Sequence, residues 1–217
     1  MLVRVERPGA VEQIDLVPSK IIGIGVNYRA HAVEMGKGLP EEPLMFLKPR
    51  SALLPEGFPI ERPLGYERVD YEGELGVVIG RRARRVSPED ALDYVLGFTC
   101  INDVTVRDLQ KKDGQWTRAK GFDTFCPLGP RIVAGIDPSN LRITTRVNGQ
   151  TRQDSSTADL IFDVPTLIAF VSSHMTLEVG DVISTGTPSG VGNLEPGDVV
   201  EIEIEGIGVL RNPVVAA

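Results

Sequence analysis

Glu72 and Glu74 are the residues from which a chemical reading of this chain starts. They stand in Asp70-Tyr71-Glu72-Gly73-Glu74, directly ahead of the apolar run Leu75 to Ile79, which Gly80 ends. Val77, Val78 and Ile79 favour a strand. Residues two apart on a strand project from one face, so the two carboxylates point the same way. Like charges beside an apolar run repel and lose hydration, and a hard divalent cation is the natural counter-charge. A third carboxylate, Asp103, follows a second apolar run, Tyr94 to Ile101. If the two runs pair, Asp103 joins the glutamates. Three carboxylates suit magnesium or manganese and leave positions for water or a chelating substrate. Glu-x-Glu taken alone fits a solvated acidic strand end better, and it is the flanking sequence that shifts the weight.

A second pair is His31 and Glu34, three apart in a stretch, 28–35, that reads as helix and places them on one face. Histidine is the usual general base near neutral pH, and a carboxylate on its imidazole fixes the tautomer. By spacing alone an exposed helical pair is the better explanation of the two. His174, near the end of a predicted helix at 165–173, is accounted for by the favourable placement of a cation there. Cys100 and Cys126 form no close-spaced metal motif and read as buried small side chains.

The elements that must position these residues are mostly short strands. Residues 1–18 read as a short strand and a connector ending at Pro18. The stretch 20–27 is a buried strand with Gly23 and Gly25. Its glycines invite a dinucleotide-binding reading, which fails because the third glycine would fall at Tyr28. Glycines and prolines from Gly36 to Pro43 break the chain, and 28–43 has the composition of a mobile lid. Residues 44–47 form a strand ended by Lys48-Pro49, and 50–69 read as loop. The basic patch Arg81 to Arg85 is a solvated turn. Ser87-Pro88-Glu89-Asp90 predicts a helix start, and a further helix spans 104–111, carrying Arg107 and Gln110. Beyond Pro130, 142–147 and 151–153 flank Asn148-Gly149 as a hairpin. Val200, Ile202 and Ile204 alternate with Glu201, Glu203 and Glu205 as a strand with one dry face. The glycine-rich loop 186–192 carries Thr187, and its backbone amides can hold a carboxylate; it lacks the lysine of a nucleotide-binding loop. The order excludes a regular strand–helix alternation and predicts one mixed α+β domain, 1–217, with a rolled or sandwiched sheet.

Composition bounds the partners. The 217 residues are 41% hydrophobic and 24% charged, ordinary for a soluble globular protein. No run approaches the length of a membrane span, and the first residues show no secretory pattern. A cytoplasmic location without membrane partners is the expectation. The net charge of −7 argues against a nucleic-acid surface, while a bound cation would still admit an anionic substrate.

Taken together, the motifs resemble those of the fumarylacetoacetate hydrolase superfamily, in particular its small acylpyruvase and oxaloacetate decarboxylase branch. They are Gly-x-Asn-Tyr-x-x-His-x-x-Glu at 25–34, Asp-Tyr-Glu-x-Glu-Leu at 70–75, Asn-Asp-Val-Thr-x-Arg-Asp-Leu-Gln at 102–110, Lys-Gly-Phe-Asp at 120–123 and Thr-Gly-Thr-Pro-x-Gly-Val-Gly at 185–192. The resemblance runs from about Ile21 to the C-terminus. It implies a mixed β-sandwich roll of the type of that family's C-terminal domain, and a homodimer. It implies Glu72, Glu74 and Asp103 as ligands for magnesium or manganese, with calcium able to replace them in a crystal. It implies His31 and Glu34 as the catalytic pair on the lid helix, Lys120 as a further catalytic cation, and Arg107, Gln110 and Thr187 as substrate contacts. The implied activity is on small 2-oxo acids through an enolate held by the metal: C–C hydrolysis of acylpyruvates, decarboxylation of oxaloacetate, or both. The alternatives are an isomerase or decarboxylase of 2-hydroxyhepta-2,4-diene-1,7-dioate type substrates and, from another class, a non-catalytic domain in which the carboxylates hold a structural metal. The His31/Glu34 pair favours an enzyme.

Overall fold

The computed structural model describes residues 1–34, 36 and 38–217. In chain order its strands are β1 (Leu2–Arg7), β2 (Ala10–Asp15), β3 (Ile21–Gly25), β4 (Leu44–Lys48), β5 (Leu53–Pro55), β6 (Ile60–Arg62), β7 (Val69–Tyr71), β8 (Gly73–Ile79), β9 (Val95–Asn102), β10 (Thr105–Val106), β11 (Cys126–Val133), β12 (Arg142–Val147), β13 (Gln150–Ser156), β14 (Val182–Ser184), β15 (Gly192–Asn193), β16 (Val199–Ile204) and β17 (Gly208–Ala216). Among the described residues four short helices interrupt them: α1 (Arg29–Glu34), α2 (Arg107–Asp113), α3 (Thr117–Lys120) and α4 (Val164–His174).

The strands form a nine-stranded sheet in the order β2-β1-β11-β9-β8-β14-β3-β4, with β5 also on β11. A five-stranded sheet, β13-β12-β16-β17-β6, faces part of it, and β10-β7-β15 makes a small third sheet. Leu75, Val77 and Ile79 from one face of β8 pack with Phe98 and Cys100 of β9, with Ile202 and Ile204 of β16, and with Leu167, Ile168 and Val171 of α4. The opposite face turns Val78 and Ile101 into a second cluster with Val5 and Ile132. Both faces of β8 are dry, which is why its sequence is a continuous apolar run and not an alternation. Each fully buried Leu, Ile or Val side chain contributes about 1.5–3 kcal/mol. This is a mixed α+β fold, strand-rich with few helices, as expected.

Several local expectations are corrected. The stretch starting at Asp70 is not one strand: β7 and β8 meet at Glu72, where the chain passes from the small sheet into the large one. Residues 1–18 hold two strands. β2 pairs antiparallel with β1 but is exposed along nearly its whole length, so no apolar alternation marked it. The predicted loop 50–69 contains β5 and β6, both in parallel pairings that local sequence does not announce. Past Ser87-Pro88 there is only a 3-10 turn, Ala91–Tyr94; the Ser87 hydroxyl donates to Asp90 (3.1 Å) instead of capping a helix. The helix expected at 104–111 is β10 followed by α2. α1 ends its described part at Glu34, and Met35 and Lys37 of the expected lid lie outside the described residues. The hairpin at Asn148-Gly149 forms as expected, with φ of 52° and 76° at its two turn residues.

Candidate active site

The site is built where two neighbouring strands leave the large sheet together. β8 and β9 pair antiparallel, with Gly73 opposite Asn102 and Glu74 opposite Ile101. One residue further out the ladder stops, and β7 and β10 continue in the small sheet. Glu72 and Asp103 occupy the gap. Asp103 N–H donates to the Glu72 carbonyl (2.9 Å), and the Asn102 side chain accepts from Glu72 N–H (2.9 Å). The backbone is therefore satisfied while both carboxyl groups turn inward. The ligand oxygens of Glu72, Glu74 and Asp103 lie within 4.8 Å of one another, and all three residues are buried.

Charges surround this cluster unevenly. Lys120 Nζ donates to Glu72 (3.0 Å), Asp103 (2.5 Å) and the Thr105 hydroxyl (2.8 Å), which uses all three of its protons. Lys48 Nζ donates to the other oxygen of Asp103 (2.5 Å). Arg107 reaches Glu72 with one terminal nitrogen and Asp70 with Nε (2.7 Å), and donates to Gln110 Oε1 (2.9 Å) from the other. Burial pushes Glu72 up, but Lys120 and Arg107 more than reverse this and hold it at about 2. The Asp103 and Glu72 carboxylates likewise overcome burial at Lys120 and raise its pKa. Glu74 is the odd one out. It accepts from the Ser184 hydroxyl (2.5 Å) and Gly186 N–H (2.8 Å), and among the described residues no cation pairs with it. Burial, then Asp103 and Glu72, push its pKa well above the ordinary value.

That imbalance is the test of whether a divalent cation fits here. The donor set is hard oxygen, Glu74 has no cation of its own among the described residues, and each carboxylate offers about four acceptor directions. An inner recess of about 20 Å³, lined by Glu72, Glu74, Thr187 and Lys120 among others, is the size of one ion or water. The residues present fit a divalent cation.

His31 is buried on α1 and its Nδ1 lies 3.0 Å from Glu34 Oε2. Nε2 is the ring nitrogen left for chemistry. Glu34 Oε1 is held in turn by Gly190 N–H (3.3 Å). The turn before α1 is strained: Val26, a β-branched residue, has φ of 56°. Asn27 clamps it by donating to the Thr185 and Phe162 carbonyls (2.8 and 3.0 Å) and accepting from Phe162 N–H (2.9 Å). His31 lines both the inner recess and an outer cavity of about 630 Å³ that also meets Glu34, Arg107, Gln110, Trp116 and Arg68.

The structure thus brings together all nine residues singled out in the sequence. Lys120 is 2% exposed. Thr187 Oγ1 donates to the Gly73 carbonyl (3.0 Å) and accepts from Gln153 (2.7 Å). Two amides of its glycine-rich loop hold carboxylates, as the loop's composition suggested, but these belong to the protein: Glu74 on Gly186 and Glu34 on Gly190. Sequence reasoning missed Lys48, Asp70, Ser184 and Trp116. It also left the strand glycines unexplained. A Cβ on Gly23 would lie 2.1 Å from Phe46, and one on Gly25 would lie 2.5 Å from Trp116. These glycines seat the two rings that meet edge to face, with Lys120 Nζ 4.7 Å from the centre of Phe46.

Comparison with known proteins agrees with this geometry. Residues 20–215 match the fumarylacetoacetate (FAA) hydrolase C-terminal family. The oxaloacetate tautomerase YisK of Bacillus subtilis is 47% identical over 214 residues, covering 91% of this chain and 70% of that protein. The structure of 5-carboxymethyl-2-hydroxymuconate delta-isomerase from Mycobacterium smegmatis superposes with a TM-score of 0.89 at 49% identity, covering 96% of this chain and 82% of that one. Fumarylpyruvate hydrolase from Pseudomonas aeruginosa, in complex with Mn2+ and pyruvate, gives a TM-score of 0.90 at 31% identity, covering 100% of this chain and 97% of that one. The matched family and the folded site lead to one assignment: this chain belongs to the fumarylacetoacetate hydrolase family.

Proposed function

We propose that this chain acts on small 2-oxo acids by way of their enolates, with a divalent cation, magnesium or manganese, held by Glu72, Glu74 and Asp103. The observation that supports it most is that His31 lines the same recess as Glu72 and Glu74 of the three-carboxylate cluster. When bound, such an ion supplies a Lewis acid beside the keto oxygen, where charge develops. Lys120 stands in the same cluster and adds positive charge there. Arg107, Gln110 and Thr187 orient the substrate. His31 Nε2 takes the proton, and Glu34 holds the imidazole in the required tautomer and steadies its charged form.

For an acylpyruvate, His31 takes a proton from water, the water oxygen adds to the distal carbonyl, and the C3–C4 bond breaks with its electrons passing to the keto oxygen. For oxaloacetate the same bond breaks as carbon dioxide leaves, with no water needed. These two cleavages are the proposed reactions. A second reading is a proton shift without cleavage, as in keto–enol tautomerisation of oxaloacetate or isomerisation of an oxo-dienoic diacid. It is favoured by a feature of the site: the cavity holds one histidine–carboxylate pair, enough to move a proton, and the chain's other histidine, His174, is exposed on α4 with Nδ1 2.9 Å from the Phe170 carbonyl. The exposed Leu44 and Leu47 on edge strand β4 support a homodimer.

The deciding experiment offers purified protein oxaloacetate and acetylpyruvate with magnesium or with a chelator. Enol absorbance reads the proton shift, pyruvate release reads cleavage, and light scattering of the same preparation reads the dimer. At least one channel is expected to respond, to be lost with the chelator, and to be lost in Glu74→Gln. Silence in every channel, or activity indifferent to both chelator and Glu74→Gln, would return the carboxylate cluster to a non-catalytic role.

A further inference from the structure

The three carboxylates of the inner cluster share one arrangement: each has an oxygen tied to a donor of its own. Glu72 Oε1 pairs with Arg107, Glu74 Oε2 accepts from the Ser184 hydroxyl and Gly186 N–H, and Asp103 Oδ1 accepts from Lys48 Nζ. The second oxygens of Glu72 and Asp103 meet on a single ammonium, Lys120 Nζ (3.0 and 2.5 Å), so these two oxygens converge. The separate donors therefore leave one oxygen of each carboxylate for the centre of the cluster. Three single oxygens fill half of an octahedron, the geometry that magnesium demands. Calcium accepts about six to eight oxygens and readily takes both from one carboxylate.

Among these anchors Lys48 has no second duty. Arg107 also meets Asp70 and Gln110 and lines both the recess and the outer cavity. Lys48 ends β4, is 1% exposed, and lines neither space. Its Nζ has Asp103 Oδ1 at 2.5 Å and the Val104 carbonyl at 3.5 Å, and among the described residues no other hydrogen-bond partner. A lysine buried this completely carries a desolvation cost that its ion pair must offset. Without it Asp103 Oδ1 would be a buried acceptor with no donor, and an ion in the cluster would satisfy that oxygen by taking both. We infer that Lys48 is a positioning residue for the metal: it holds Asp103 to coordination through one oxygen and so biases the cluster toward magnesium or manganese and against calcium. The inference rests on the three carboxylates holding a divalent cation. It adds which ion they select and the residue that sets the choice.

The test is calorimetric titration with magnesium, manganese and calcium, comparing the unaltered protein with Lys48→Met, which keeps the length of the stem and removes the ammonium. Removing a group that orients a metal ligand typically costs about 10–100-fold in affinity. Lys48→Met is expected to weaken magnesium and manganese by about that factor and calcium much less, so that the Kd ratio moves toward calcium by about tenfold or more. A positive charge that acts only through space would, on removal, tighten all three ions alike. A lysine that only supports the fold would, on removal, weaken them alike. Either result, with the ratio unchanged, would overturn the inference. The unaltered protein gives a reading that needs no variant and decides the matter if Lys48→Met does not fold. Crystals prepared with manganese and with calcium should both show Asp103 bound through one oxygen and Lys48 still on the other. Two Asp103 oxygens on the ion, or Lys48 detached from Asp103, would sink the inference as well. Absence of divalent binding by the unaltered protein, or binding untouched by Glu74→Gln, would end the metal reading and this inference with it. A bound metal with an unchanged ratio in Lys48→Met would end the role of Lys48 alone.

Discussion

His31 is the residue on which the proposed reactions divide. Hydrolysis of an acylpyruvate needs a base to activate water, and base catalysis is worth about 10²–10⁴-fold. His31→Ala is therefore expected to lower acetylpyruvate hydrolysis by about that factor and oxaloacetate decarboxylation much less, measured at saturating magnesium. An equal fall in both rates would mean that the imidazole serves a shared step, such as protonating the enolate. At this scale the triad was legible from the Glu-x-Glu spacing only together with the flanking motifs that add Asp103, and the strand assumed through Glu72 is in fact broken there. Lys48 was not. A lysine at the end of an apolar strand normally reaches solvent, and only the approach of Asp103, fifty-five residues on, turns it inward.

Among the elements, β3 and β4 act as a seat for aromatic rings. Gly25 lies under Trp116, the only tryptophan of the chain, so its fluorescence reports on the cavity wall. Gly25→Ala would place a methyl 2.5 Å from the indole. The ring must leave its place, at a cost of about 1–3 kcal/mol for such overpacking, with weaker substrate binding as Trp116 no longer closes the pocket. A shifted emission maximum together with a raised KM is the expected result. Emission identical to that of the unaltered protein would show that the glycine is not what seats the ring. The Gly-x-Gly pattern was visible and did not match the dinucleotide-binding fingerprint. Its purpose was invisible, because Trp116 is distant in sequence and arrives only through the fold.

Across the whole molecule, two segments some 160 residues apart, leading into the neighbouring strands β3 and β14, are tied by Asp181. Its carboxylate accepts from Ser19 N–H and hydroxyl, from Lys20 N–H and ammonium, and from Glu178 N–H, joining the entry of β3 to that of β14. Burial pushes its pKa up, but these donors, the Lys20 ammonium foremost, outweigh it and leave the value below the ordinary one. A lowered folded pKa means stability that is complete above the unfolded value of about 3.9 and is lost as pH falls through the folded value. Asp181→Asn should destabilise the protein by about 3 kcal/mol at neutral pH, or roughly 6–12 °C in Tm for a chain of this size. The difference from the unaltered protein should shrink in acid below about pH 4. A gap that stays constant down to pH 2 would assign the loss to packing and not to the charge.

The sequence by itself singled out the candidate site residues and the kind of fold. Strand periodicity, the apolar runs at 75–79 and 94–101, and the five motifs locate Glu72, Glu74, Asp103, His31 and Glu34 and identify a strand-rich mixed fold, because these signals are local or repeat within a few residues. Tertiary structure alone decided what surrounds them. The break that makes Glu72 and Asp103 face each other, the parallel pairings of β5 and β6, the exposed strand β2, the burial of Lys48, and the pairing of Arg107 with Asp70 and Glu72 all depend on segments far apart in the chain. A buried charge or an unannounced strand is tolerated only when a distant partner satisfies it, and no local pattern records where that partner will be.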